Sequence, residues 1–183
     1  IAIAGTAASL LLTGFLAAFA VGFARLSGVG EESAAMLQVL TQGGIDARGL
    51  LLAGIIIGAL GVLDDVTTTQ ASTVIELRRA NPALGTPQLF ARAMNVGRDH
   101  IAATTNTLVL AYAGAALPLL LIYAGQPHAL GILVSFDQLA TEIVRTLAGS
   151  IGIVAAVPRM TALAAILVGS GLVRVDGDPT PAG

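Results

Sequence analysis

Apolar residues fill four long stretches of the chain, separated by short polar segments. The stretches are longer and more uniformly apolar than the one-sided helices of a soluble domain. Residues 1–24, "IAIAGTAASLLLTGFLAAFAVGFA", carry no charge and predict a first membrane-spanning helix closed by Arg25. Residues 26–49 are polar and Gly-rich, with Glu31, Glu32, Asp46 and Arg48, and Ser33 is placed to cap a short amphipathic helix running through Leu40. A second stretch begins at Leu50 and stays apolar to Leu63. It continues in helix-forming residues past Asp64 and Asp65 to Ala80, giving a span over 50–75. "NPALGTP" ends it. Thr86 followed by Pro87 predicts a new helix start, a capping hydroxyl with proline where its missing N–H is harmless. That helix leads into a third span over 100–124, where Pro118 predicts a kink. After the turn "AGQPHALG" a last helical region runs from Phe136 to Leu172, with a span over 140–172 and an interruption expected at Pro158.

The pattern therefore predicts an all-α fold, a polytopic helical membrane bundle with about four spanning helices, some interrupted by proline or polar residues. A single transmembrane domain is expected over 1–175, followed by a flexible Pro- and Gly-rich tail over 176–183. The chain begins with Ile1 and enters its first span at once, which reads as the C-terminal part of a longer protein and not as a signal peptide.

Composition narrows the function classes. The 183 residues are 55% hydrophobic and 11% charged, with a mean hydropathy of +0.86, whereas soluble domains carry about 25% charged residues. All nine basic residues are arginine and the net charge is -2, so a basic nucleic-acid-binding surface is not expected. The chain has no cysteine, which excludes thiolate metal sites, disulfides and a cysteine nucleophile. Arginine also predicts orientation. Arg78, Arg79, Arg92, Arg98 and Arg174 fall on one side of a four-span layout, and only Arg25 and Arg48 on the other. The rule that short arginine-rich loops stay inside then puts loop 76–99 and the C-terminus in the cytoplasm.

Candidate chemistry lies in polar residues at membrane depth. Counted from Leu50, Asp64 and Asp65 lie about 21–22 Å into an apolar layer of about 30 Å, where an ionised carboxylate is costly without a partner or water. Gly54, Gly58, Gly61, Asp65, Thr68, Thr69, Ser72 and Glu76 share one helical stripe, and the stripe is expected to face the bundle interior. A matching stripe follows in Asn95, Asp99, Ala102, Asn106 and Ala113, accompanied by Arg98, Thr104 and Thr105. The last span adds Glu142, Arg145, Gly149, Gly152, Ala156 and Arg159. These residues predict an acid and base network in two layers, in which Arg98 pairs across helices with Asp64 or Asp65 and Glu142 stands apart with Arg145. Each group also has a plainer reading. Asp64 and Asp65 could open a solvated helix, Glu142 and Arg145 form an i, i+3 interfacial salt bridge, and the loop arginines serve only as topology signals.

Enzyme signatures do not appear. "GALG" has neither a preceding strand nor a following Lys-Ser or Lys-Thr, and His100 and His128 stand alone without zinc spacing. An aspartic dyad of Asp64 or Asp65 with Asp99 is disfavoured, because Arg98 beside Asp99 favours the ionised form over a shared proton. The expectation is a non-enzymatic protein without a cofactor or metal.

The strings "GALGVLDDVTTTQASTVIELRRANP", "LFARAMNVGRDHIAATTNTLVLAYAGAALPLLL" and "EIVRTLAGSIGIVAAVP" resemble the C-terminal membrane region of the YibE/F-like family of bacterial multi-pass membrane proteins, over about residues 50–165. The resemblance implies a longer protein with further spans before Ile1 and often an extracytoplasmic segment. It supports Asp64, Asp65, Gln70, Asn95, Arg98, Asp99, Thr105, Asn106, Glu142 and Arg145 as motif positions, while Arg159 departs from the apolar residue expected after Pro158. It implies no settled activity. The leading functional expectation is a permease or transporter-like component of the bacterial inner membrane, with a polar path drawn from Asp64, Asp65, Thr68, Gln70, Asn95, Arg98, Asp99, Thr105, Asn106, Glu142 and Arg145. The alternative is a scaffold or regulatory subunit that docks a cytoplasmic partner through loop 76–99. Expected partners are the lipid bilayer, an N-terminal portion of the same protein, and a further copy of the chain or another membrane protein.

Overall fold

In a computed structural model, residues 2–30, 32–125, 131, 135–173 and 175 are described. Glu31, His128, Arg174 and the tail over 176–183 lie outside the described residues, as does most of the expected turn after Ala124. Among the described residues the fold is all helical. The elements are α1 (Ala2–Phe23), α2 (Glu32–Leu40), α3 (Ala47–Ala80), α4 (Thr86–Ala115), α5 (Leu117–Ala124) and α6 (Asp137–Gly169). Helices α1, α3 and α6 are each long and apolar enough to cross a membrane, and α4 with α5 forms a fourth crossing candidate bent by 59°.

Local chemistry explains the boundaries. Arg25 closes α1 as expected, and does so in a left-handed conformation (φ 54°). Its N–H bonds to the Gly22 carbonyl at 3.2 Å and that of Leu26 to Val21 at 3.1 Å, the paired return bonds that end many helices. Asp46 caps α3, its Oδ1 accepting from the Arg48 N–H at 3.1 Å. The cap of α4 falls one residue earlier than Thr86. The Gly85 carbonyl accepts from Gln88 and Leu89, while Gln88 Oε1 reaches back to the Gly85 N–H at 3.1 Å. Ser33 lies within α2 and not before it. The kink predicted from Pro118 sits at Ala116, just ahead of the proline. The interruption expected at Pro158 does not occur, because α6 continues through it. Thr161 Oγ1 there donates to the Val157 carbonyl at 2.7 Å.

The chain divides into two compact units. One comprises Ile1–Leu10, Leu60–Thr104 and Gly152–Gly183. Its core joins Ala71 and Val74 of α3, Leu84 of the turn after it, Leu89 and Ala93 of α4, and Met160, Ala164, Ala165 and Val168 of α6. Polar contacts set the register. Thr6 and Thr67 share a hydroxyl hydrogen bond of 2.5 Å, and Gln70 Nε2 donates to the Ala93 carbonyl at 2.9 Å. Gly97 allows α4 a close approach, since a Cβ there would stand 2.7 Å from Val157 Cγ1 and 3.1 Å from both terminal atoms of Gln70.

The other unit comprises Leu11–Ala59 and Thr105–Ile151. Ala17, Val21, Leu26, Ile55, Val144 and Ala148 form its core. The start of α6 is tied to the segment after α1 by Asp137, which accepts from the Ser27 N–H at 3.2 Å and from Ser27 Oγ at 2.5 Å.

Candidate functional site

Within the first unit, the buried side of α3 carries Leu63, Val66, Thr67, Gln70, Ala71 and Val74. The stripe expected to face the interior lies on another side. Gly61, Asp64, Asp65, Thr68, Thr69, Ser72 and Glu76 are exposed, as are Asn95, Arg98, Asp99 and Ala102 on α4. The physical reason is packing: small aliphatic side chains on α3 meet those of α4 and α6 closely, and the polar groups that α3 buries there, Thr67 and Gln70, are ones with a partner. The expected ion pair between Arg98 and Asp64 or Asp65 is likewise not formed. Among the described residues Asp64, Arg98 and Asp99 make no ion pair. Asp65, whose side chain is 73% exposed, lies 4.0 Å from His100 Nε2, beyond hydrogen-bond reach. Gln70 is brought into the core, and its amide joins two helices.

In the second unit the charged residues are held differently. Arg145 Nη1 donates to Glu142 Oε1 at 2.9 Å, with side chains 23% and 18% exposed. The Arg145 guanidinium lies 5.8 Å from the centre of the Tyr112 ring, within the range of a cation–π contact. Gly58 of α3 lies beside that tyrosine, and a Cβ there would stand in ordinary contact with its hydroxyl, at 3.7 Å. Asp137 marks the start of α6, so Glu142 lies about 8 Å and Arg145 about 12 Å along the helix from that end. A cavity of about 270 Å³ opens beside the pair, lined by Tyr112, Ala113, Ala116, Leu120, Glu142 and Thr146 among others. A second of about 500 Å³ reaches both Glu142 and Arg145 from the side of Pro118 and Gln138. Thr105 is half-buried with its hydroxyl buried and unbonded, and Asn106 is exposed.

Thr105 apart, the structure thus gives the sequence-derived candidates three situations. Glu142 and Arg145 form a half-buried, cavity-lining centre, Gln70 is a core tie, and Asp64, Asp65, Thr68, Asn95, Arg98, Asp99 and Asn106 are exposed. Tyr112 is the member that sequence reasoning missed. Its signal was present, one of only two tyrosines in the chain and set in an otherwise apolar stretch of α4. Among the described residues no three His, Asp or Glu side chains gather in a metal-ligating group.

No curated protein and no solved structure matches the chain. The model of the YibE/F-like protein family matches residues 1–170. That match runs from the first span through the end of α6 and covers every helix described above. With helices long and apolar enough to cross a bilayer, the chain is a membrane protein, and it belongs to the YibE/F-like family.

Proposed function

We propose that this chain is a non-catalytic, permease-like component of the bacterial inner membrane, and that its solute or ion path passes the Glu142–Arg145–Tyr112 centre. One observation carries the reading: an ion pair sits partly buried in a membrane-crossing helix with a cavity of about 270 Å³ alongside it. Charged groups at such positions are costly in hydrocarbon, and they are retained mainly where water or a polar solute reaches them. A cavity lined mostly by apolar atoms, with a few convergent polar groups, is the usual form of a small-solute site. Loop 76–99 supports the scaffold alternative less well. Two of its four arginines are engaged locally, Arg78 with the Leu84 carbonyl at 2.7 Å and Arg79 with Glu76 at 2.6 Å.

The reading is tested by water access. The chain has no cysteine, so Thr146→Cys and Ala113→Cys each introduce a single thiol into the cavity lining. Labelling of both by a membrane-impermeant thiol reagent in intact vesicles is the expected result. Reaction only with a lipid-soluble reagent would refute an aqueous path at this centre.

A further inference from the structure

The membrane-crossing helices α1, α3 and α6 share one end in the second unit. Gly22, in the last turn of α1, lies against Arg48 in the first turn of α3, where a Cβ on the glycine would stand 3.3 Å from Nη2. Ser27, just past α1, bonds to Asp137 at the start of α6. Helix α1 carries no charge along its length, and its 22 residues rise about 33 Å, close to the roughly 30 Å of a bilayer's hydrocarbon. Its last turn, and the first turns of α3 and α6 held beside it, therefore lie at a membrane boundary.

The nine-residue α2 packs at this end. A cavity of about 100 Å³ lies between it and the bundle, lined by Ala34 and Leu37 of α2, Leu50 and Leu51 of α3 and Thr141 of α6, among others. These residues of α3 and α6 are about 5–6 Å inside the first residues of their helices, so α2 stands beside the helix ends and not above them. Ala34 is buried, and Gln38, one turn on, is half-buried with its Nε2 donating to the Ile45 carbonyl at 2.9 Å. Met36 and Leu40 lie about 200° round the helix from those two residues, on the outward face. Met36, Leu40 and Val39 are 61%, 67% and 77% exposed, and Glu32 in the first turn is the one charge in α2. Leu37 and Leu50, both exposed and lining the same cavity, continue this apolar surface onto the outer side of α3.

We infer that α2 is an interfacial helix, lying among the headgroups and upper acyl chains of the bilayer with Met36, Val39 and Leu40 buried in lipid. A helix far too short to cross, level with the ends of helices that do, and apolar on the side turned away from them is placed to bury that side at the boundary. With no basic residue, α2 is held by apolar burial alone and suits a zwitterionic lipid surface as well as an anionic one.

The chain has no tryptophan, so Met36→Trp, Val39→Trp and Leu40→Trp each place a single reporter on this face. Each 1–183 chain is reconstituted in phosphatidylcholine vesicles, with or without phospholipid brominated near the headgroup end of its acyl chains. All three reporters should lose fluorescence to the brominated lipid and resist aqueous iodide, and replacing part of the phosphatidylcholine by phosphatidylglycerol should change neither. Quenching by iodide alone would place the face in water and overturn the inference. Protection from both quenchers would show a protein surface over it, such as a second copy, and overturn it equally. Tryptophan itself favours the membrane interface, so Val39→Cys repeats the measurement with a small side chain that is the single thiol in the chain. Modification by a lipid-soluble thiol reagent, and not by an impermeant one supplied on both sides of the membrane, is expected. Modification by the impermeant reagent, or by neither, would refute the lipid assignment.

Discussion

Gly97→Ala tests the register on which the first unit depends. The new Cβ would lie 2.7 Å from Val157 Cγ1, about 1 Å inside the ordinary contact distance of about 3.5–4.0 Å between carbon atoms. It would also lie 3.1 Å from both terminal atoms of Gln70, whose amide is held by the Ala93 carbonyl. Relief thus requires moving α6 away or turning both side chains. Overpacking of this kind costs about 1–3 kcal/mol, and contact on two sides argues for the upper half of that range. Alanine regains about 1 kcal/mol over glycine inside a helix, leaving a net loss of about 1–2 kcal/mol. The assay is unfolding in mixed micelles titrated with sodium dodecyl sulfate and followed by helical circular dichroism. Val157→Ala removes the nearer obstacle, so Gly97→Ala should be less damaging in that background, with a coupling of about 1 kcal/mol. A Gly97→Ala protein as stable as the parent, or strictly additive losses in the double variant, would show that α4 and α6 do not meet at these residues.

Three further outcomes are expected. Gln70→Leu removes the side-chain tie to Ala93 and should lower stability by about 0.6 kcal/mol, and by no more than about 1.7 kcal/mol, in the same titration, the average and the maximum for interhelical hydrogen bonds in membranes. An unchanged midpoint would mean the amide is not buried between α3 and α4. Pro118→Ala restores a backbone donor after Ala116 and should straighten the 59° bend, read as a longer spin-label distance between Val109 and Tyr123; an unchanged distance would assign the bend to packing instead. A reporter fused after Gly183 should score as cytoplasmic and one inserted at Gln126 as external, because arginine is concentrated on the former side. The same location for both would refute the four-crossing layout.

The helices were legible because each apolar run is long and bounded by recognisable breakers, as at Arg25, Asn81-Pro82 and Pro118. The orientation of α3 about its axis was not. Apolar residues surround its first half on every side, so periodicity has no face to select, and the polar stripe is then the face a sequence reading turns inward. Ala59, Leu63, Val66 and Val74 take the interior instead, and the polar groups that enter with them are ones with a specific partner, Thr67 with Thr6 and Gln70 with Ala93. Those partners are separated by 61 and 23 positions, a distance that no local spacing rule reads. Glu142 and Arg145 were legible as a pair because three residues on a helix is a local relation. Tyr112 was not, because it approaches Arg145 from another helix.

The bend at Ala116 also sets the width of the cavity beside Glu142. Ala116 and Leu120 stand on one wall, and Glu142, Thr146 and Leu147 on the other. Leu120 lies about 6 Å beyond the bend, so each 10° of rotation there carries it about 1 Å toward or away from α6. The angle of one backbone joint therefore sets the room available at the ion pair.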